Sequence, residues 1–189
     1  MESPIRSQIV YLVGRSRSAG TQLGRRRLAD ATGLTEMAVR LQLERLRDDG
    51  WVDLGRTGVT LTDPGRARFA ELFDRIRAVR EPELTSLRVD DLAAAGLVAT
   101  RQSHEAWAVR DLAVREGATG LLLLRLSPDG WRFSHDDEPV SARNPIDAAT
   151  LLEAFPEAAI DDRLVVAFAQ DRATVGRALW RALAQLLMI

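Results

Sequence analysis

Gly33-Leu34-Thr35-Glu36-Met37-Ala38-Val39-Arg40-Leu41-Gln42-Leu43-Glu44-Arg45-Leu46-Arg47-Asp48-Asp49-Gly50 decides how the first half of the chain folds. Thr35 offers a side-chain oxygen where a helix begins. Val39, Leu43 and Leu46 recur at i, i+4 and i+7, the spacing of one buried helical stripe. Gly50 is the residue type that tolerates the left-handed turn after a helix. Upstream, residues 25–32 read as a short helix burying Leu28 and Ala31, and Gly33 stands where its C-cap belongs. Two helices joined by a tight turn result. Before them, Ser3-Pro4 suits a helix start, and Ile5, Ile9, Leu12 and Val13 repeat at helical spacing.

Downstream, Trp51-Val52-Asp53-Leu54 alternates like a strand, Gly55-Arg56-Thr57-Gly58 is a turn, and Val59-Thr60-Leu61 returns. Thr62-Asp63-Pro64 starts a further helix, with Ala67, Phe69, Ala70, Phe73 and Ile76 available for packing. Three helices, a hairpin and a helix is the winged helix-turn-helix order. The segment from Gly33 to Val52, followed by Val59-Thr60-Leu61-Thr62-Asp63-Pro64-Gly65, resembles a prokaryotic winged-helix transcription regulator over residues 5–78.

That resemblance implies double-stranded DNA as partner, with the second helix of the pair in the major groove and the hairpin against the backbone or minor groove. Carried onto this chain, Thr35, Glu36, Met37, Ala38 and Arg40 face DNA, with Gln42 and Arg45 further round or further along the helix. Arg40 is the first candidate for a bidentate guanine contact. Arg56 and Thr57 at the hairpin tip reach a phosphate or a narrow minor groove. Arg25, Arg26 and Arg27 open the helix that would cross the backbone, and are read either as phosphate ligands or as a solvated face. Glu36 either accepts from a cytosine amino group or stabilises the positive end of its helix.

Charge distribution agrees with that reading. The chain has 189 residues and net charge −1. Residues 1–80 carry 15 arginines against 10 acidic residues, and residues 81–189 carry 11 against 17. A basic half meets a polyanion, which repels the acidic half. Pro82, among charges, marks a linker over 81–88 between a domain 1–80 and a domain 89–189. All 26 basic residues are arginine, a bias read first as genomic base composition.

In the second half, residues 96–99, 121–126, 131–133 and 164–168 read as strands. A helix is expected from Ser103 to about Glu116, another over 146–155 behind Asn144-Pro145, and a last one from Asp171 or Thr174 to Leu187. The fold class is therefore α+β: the winged helix-turn-helix domain, then an α/β sandwich compatible with a ferredoxin-like βαββαβ plus a C-terminal helix. Residues 89–187 faintly resemble the C-terminal domain that follows a winged helix in a group of archaeal proteins, through Val109-Arg110-Asp111-Leu112-Ala113-Val114-Arg115-Glu116-Gly117-Ala118-Thr119-Gly120 and the strand after it. Trp107 and Val114 lie together on one side of their helix, and Trp180 and Leu187 widen the apolar face of the last. These four are expected at a dimer or interdomain interface, with a three-layer monomer core as the alternative.

The composition excludes several chemistries. With no cysteine there is no disulfide, thiolate metal site or cysteine nucleophile. No phosphate-binding loop of the lysine-containing type is present. His135-Asp136-Asp137-Glu138 gathers metal-ligand types consecutively and reads as a solvated loop. No catalytic residue, cofactor or metal is assigned. No apolar run approaches ~20 residues, and no signal-peptide pattern is seen, so a cytoplasmic protein is expected. The reading is a dimeric transcription regulator whose second domain dimerises and senses a small molecule of unidentified kind. The alternatives are a protein-interaction module, or an enzymatic or ligand-binding domain tethered to a winged helix.

Overall fold

The computed structural model describes residues 3–18, 22–100 and 105–188. They form two compact units, residues 1–74 and 75–189.

In the first unit, helices α1 (Pro4–Ser18), α2 (Arg25–Thr32) and α3 (Glu36–Asp48) precede strands β1 (Val52–Leu54) and β2 (Val59–Leu61) and helix α4 (Asp63–Phe73). Local chemistry sets most of these boundaries. Gly33 holds φ 69° after α2, and the Thr35 side chain accepts from the Ala38 N–H at 3.2 Å at the start of α3. Gly50 holds φ 73° after α3, and Thr62 caps α4 by accepting from the Gly65 N–H at 2.9 Å. Val39, Leu43 and Leu46 are buried together with Ile9, Leu28, Val52 and Leu61. The hairpin pairs Val52 with Leu61 and Leu54 with Val59. Gly14 faces the Phe69 ring so closely that a Cβ there would lie 2.3 Å from it, which lets α1 approach α4.

The second unit contains β3 (Ile76–Arg80), β4 (Leu92–Val98), α5 (Ala106–Arg115), β5 (Gly120–Ser127), β6 (Gly130–Phe133), α6 (Val140–Arg143), α7 (Pro145–Ala154), β7 (Arg163–Ala169) and α8 (Arg172–Leu187). Its antiparallel sheet runs β3-β4-β7-β5-β6. Leu97, Leu124, Leu164, Val166 and Phe168 point to one face and meet Leu151 and Phe155 of the α7 segment. Gly96 points to the other, where a Cβ would come within 2.8 Å of Leu183 of α8. The sheet is thus covered on both faces.

Several expectations are corrected here. A ferredoxin-like sandwich carries its helices on one face of four strands. Here helical layers lie on both faces, a fifth strand extends the edge, and the strand seated between the βα-linked pair β4 and β5 is the last one, β7, where the ferredoxin-like order places the hairpin partner β6. Ile76, expected in the helix after the hairpin, opens β3. Residues 76–80, assigned above to the first domain, pair with β4 in the second unit's sheet. Residues 81–88 are no open linker: Pro82, Leu84 and Leu87 are buried. Asn144 makes no side-chain cap bond, although Pro145 does take the first helical position. Ser103, the expected cap of α5, lies outside the described residues. Trp180 and Leu187 are each 2% exposed within the single chain, and α8 packs on β4, β7 and α5, so neither is open to a partner. Trp107 and Val114 are exposed.

Candidate nucleic-acid interface

The hairpin and α3 of the first unit enclose a cleft of about 570 Å³. Arg25, Arg40, Arg47 and Arg56 line it, with Glu44 as its one carboxylate and Gly24, Gly55, Thr57 and Gly58 on the walls. The register of the hairpin leaves Arg56 and Thr57 at its apex, between Gly55 and Gly58, whose amides and carbonyls bond to each other. Gly58 has φ 146°, and a Cβ there would stand 3.0 Å from the Leu23 carbonyl oxygen. Its bareness admits the segment before α2, whose Leu23 carbonyl accepts from the Val59 N–H at 3.0 Å. That bridge brings Arg25 beside the hairpin.

Arginine at the start of α2 carries a physical message. The first turn of a helix is its positive end, and each cation there costs roughly 0.3–1 kcal/mol. Arg25, Arg26 and Arg27 are all exposed, the first turn holds no acidic residue, and Gly24 contributes no side-chain cap. Stability disfavours this arrangement, whereas an incoming anion favours it. Among the described residues none of these three makes an ion pair, and neither do Arg45 and Arg56.

Helical phase sorts the remaining candidates. Arg40, Glu44 and Arg47 sit at i, i+4 and i+7, one flank turned to the hairpin. Gln42 lies about 200° and Arg45 about 140° around the helix from Arg40. Gln42 is half-buried, so the expected set does not present a single surface. Met37, 71% exposed, and Leu41 are outermost, and Ala38 is half-buried. Glu36 is exposed in the first turn of α3, the place where a carboxylate stabilises its own helix. The Thr35 oxygen is engaged as the cap. Arg47 was not among the expected residues. Its signal was the seven-residue step from Arg40.

Carboxylates hold two of the cleft arginines. Arg40 Nε donates to Glu44 Oε1 at 2.8 Å, and Arg47 donates to Asp48 Oδ1 from Nη2 at 2.8 Å and from Nε at 3.1 Å. The hydrogen bond to Asp48, with its charge, raises the Arg47 pKa. Both pairs are exposed and therefore weak, so a phosphate can replace the carboxylate. Glu44→Gln is expected to raise non-specific duplex affinity about threefold to tenfold, because it removes a repelling charge and frees Arg40. Fluorescence anisotropy measures this, and lower affinity would make Glu44 a positioning partner of Arg40 instead.

Three other first-unit arginines, Arg6, Arg66 and Arg68, are structural. Arg6 pairs with Asp49 at 3.0 Å, Arg66 pairs with Asp63 and donates to the Leu61 carbonyl, and Arg68 lies over the Trp51 ring. Among the described residues no three His, Asp or Glu side chains group as metal ligands, and no helix is long and apolar enough to cross a membrane.

No curated protein is detectably similar to this chain in sequence. A solved structure described as a hypothetical protein, PH0730, from Pyrococcus horikoshii OT3 matches with a TM-score of 0.74 at 17% identity, over 96% of this chain and 91% of that one. The likeness is one of fold. Residues 8–76, which hold the cleft, match the family described as the CggR N-terminal DNA binding domain, and the match supports a DNA-binding transcription regulator.

Proposed function

We propose that this chain regulates transcription by sequence-specific binding to double-stranded DNA through a winged helix, with α3 in the major groove and the β1–β2 hairpin as the wing. The arginine-lined cleft between α3 and the hairpin carries this reading. A duplex backbone running past it would meet Arg25, Arg40, Arg47 and Arg56 in place of Glu44 and Asp48. Met37 and Leu41, outermost on α3, offer apolar surface to thymine methyl groups. Duplex affinity should therefore fall steeply with salt, by about one decade per decade of concentration for each phosphate contact. Anisotropy titrations between low and moderate salt test this; binding insensitive to salt, or no duplex binding, would leave a protein-interaction module.

The archaeal-type likeness of residues 89–187 supports assigning the second unit a regulatory part, dimerisation and response to a small effector. The exposed Trp107 and Val114 of α5 support a homodimer contact there. Size-exclusion chromatography with light scattering tests it, and a monomer at micromolar concentration overturns it. The chain acts in the cytoplasm, where its DNA is. We propose that it acts by binding and not as an enzyme; among the described residues the two buried carboxylates of the second unit are engaged within the fold, Asp162 by Arg77 Nε at 2.6 Å and Asp147 by the 85–87 backbone and hydroxyls.

A further inference from the structure

Three arginines form a lateral row across the end of the five-stranded sheet. The register sets Arg132 of β6 opposite Arg125 of β5, and Arg125 opposite Arg163 of β7. Arg163 shares a face with Val165, two residues on, and Val165 is opposite Gly96, the residue pressed on α8. Like charges directly opposite on neighbouring strands destabilise a sheet, so the fold must compensate this row.

The compensation is uneven. Arg125 donates to Asp137 at 2.8 Å and reaches Asp161 at 3.4 Å. Arg132 donates to Asp129 at 2.5 Å and lies 3.7 Å from Asp137. Arg163 is half-buried, yet among the described residues no carboxylate lies within 4 Å of it, and its side-chain partner is the Ser134 hydroxyl at 3.4 Å. Burial, and then the charge of Arg125, hold its pKa below the ordinary guanidinium value against the smaller opposing charges of Asp161 and Asp137. Asp137 and Asp161, the two carboxylates on Arg125, hold φ of 60° and 73°, a region that non-glycine residues seldom adopt. Strain of this kind collects where a site needs its groups held in place.

We propose that Arg163, with the Ser134 hydroxyl and the flanking Arg125, binds a small oxyanion: the carboxylate or phosphate group of a metabolite-sized effector. The guanidinium fork matches two oxygens of such a group, and the hydroxyl takes a third contact or shares one. The bound anion supplies a direct counter-charge to Arg163, which Asp161 and Asp137 influence only from beyond ion-pair distance, and offsets its repulsion with Arg125. Binding therefore stabilises the second unit by mass action. The inference deepens the reading of that unit as effector-responsive and rests on it.

The test uses the full chain, titrated by calorimetry and followed by thermal melting, with inorganic phosphate and with acetate against chloride at constant ionic strength. Saturable binding of at least one anion with a raised Tm is expected. Arg163→Gln should weaken it about tenfold or more, and Ser134→Ala by a smaller factor. In anion-free buffer Arg163→Gln should melt no lower than the parent, because it removes a half-buried cation that faces another. A merely structural arginine would instead lower the Tm on removal. No saturable response to either anion, or equal affinity in the Arg163→Gln variant, overturns the site. Duplex binding measured alongside separates the two readings. A chain that binds DNA but neither anion loses the oxyanion site alone, and one that binds an anion but no duplex loses the DNA reading alone.

Discussion

Replacing Arg40 and Arg47 together with alanine is expected to weaken specific duplex binding by roughly two to four decades at moderate salt and to flatten its salt dependence by about two phosphate contacts. Each charged contact to a base or phosphate is worth about 1–3 kcal/mol, and the sum is an upper bound because the two side chains share one cleft. The single variants separate their roles. A guanine-reading Arg40 relaxes sequence preference when replaced, whereas a phosphate-binding Arg47 lowers affinity for all sequences alike. Folding is not at risk. Both side chains are exposed, and their ion pairs with Glu44 and Asp48 are solvent-screened and contribute little to stability. Anisotropy across a salt series, with a melting curve as control, measures the effect. Unchanged affinity in a folded double variant would remove the cleft from the DNA interface.

Elements with local punctuation were legible in the sequence. Gly33, Thr35 and Gly50 mark the limits of α2 and α3 through their own backbone and side-chain chemistry, and the structure uses each in that way. β3 was not legible. Phe69, Phe73 and Ile76 continue a helical i, i+4, i+7 stripe, so periodicity carries the helix past its end at Phe73. What draws residues 76–80 into the sheet is distant: β4 beside them, Asp162 for Arg77 and Glu157 for Arg80. That displacement also changes the charge argument. Divided at Asp74, the first unit has 12 arginines against 10 acidic residues and the second 14 against 17. Basic character in the first unit is therefore a property of one cleft, not of a whole domain. The same limit explains Trp180 and Leu187. Sequence shows how wide an apolar face is, and only the packed chain shows that its own elements cover it.

Asp147→Ala is expected to destabilise the second unit by about 3 kcal/mol or more, a Tm loss on the order of 10 °C. Asp147 is completely buried at the start of α7. Its carboxylate accepts from the Thr85 N–H at 2.8 Å, the Thr85 hydroxyl at 2.9 Å, the Ser86 hydroxyl at 3.0 Å and the Leu87 N–H at 2.6 Å. These bonds hold down the strap whose Leu84 and Leu87 complete the core under α7. Alanine leaves the Leu87 N–H buried and unpaired. Asparagine keeps the shape but turns an NH₂ toward donors, so it should cost less than alanine yet still measurably. Burial, the largest single influence, pushes the Asp147 pKa up, but the two backbone and two hydroxyl donors together hold it below the ordinary carboxylate value. A lowered folded-state pKa means that the stabilisation is complete above the unfolded value of about 4 and disappears as pH falls through the folded one. The Tm gap between parent and Asp147→Ala should accordingly be widest near neutral pH and close under acid. A gap that stays constant down to about pH 3 would show that the ionised form of this carboxylate is not what holds the strap, and an alanine variant as stable as its parent would show that the leucines hold it.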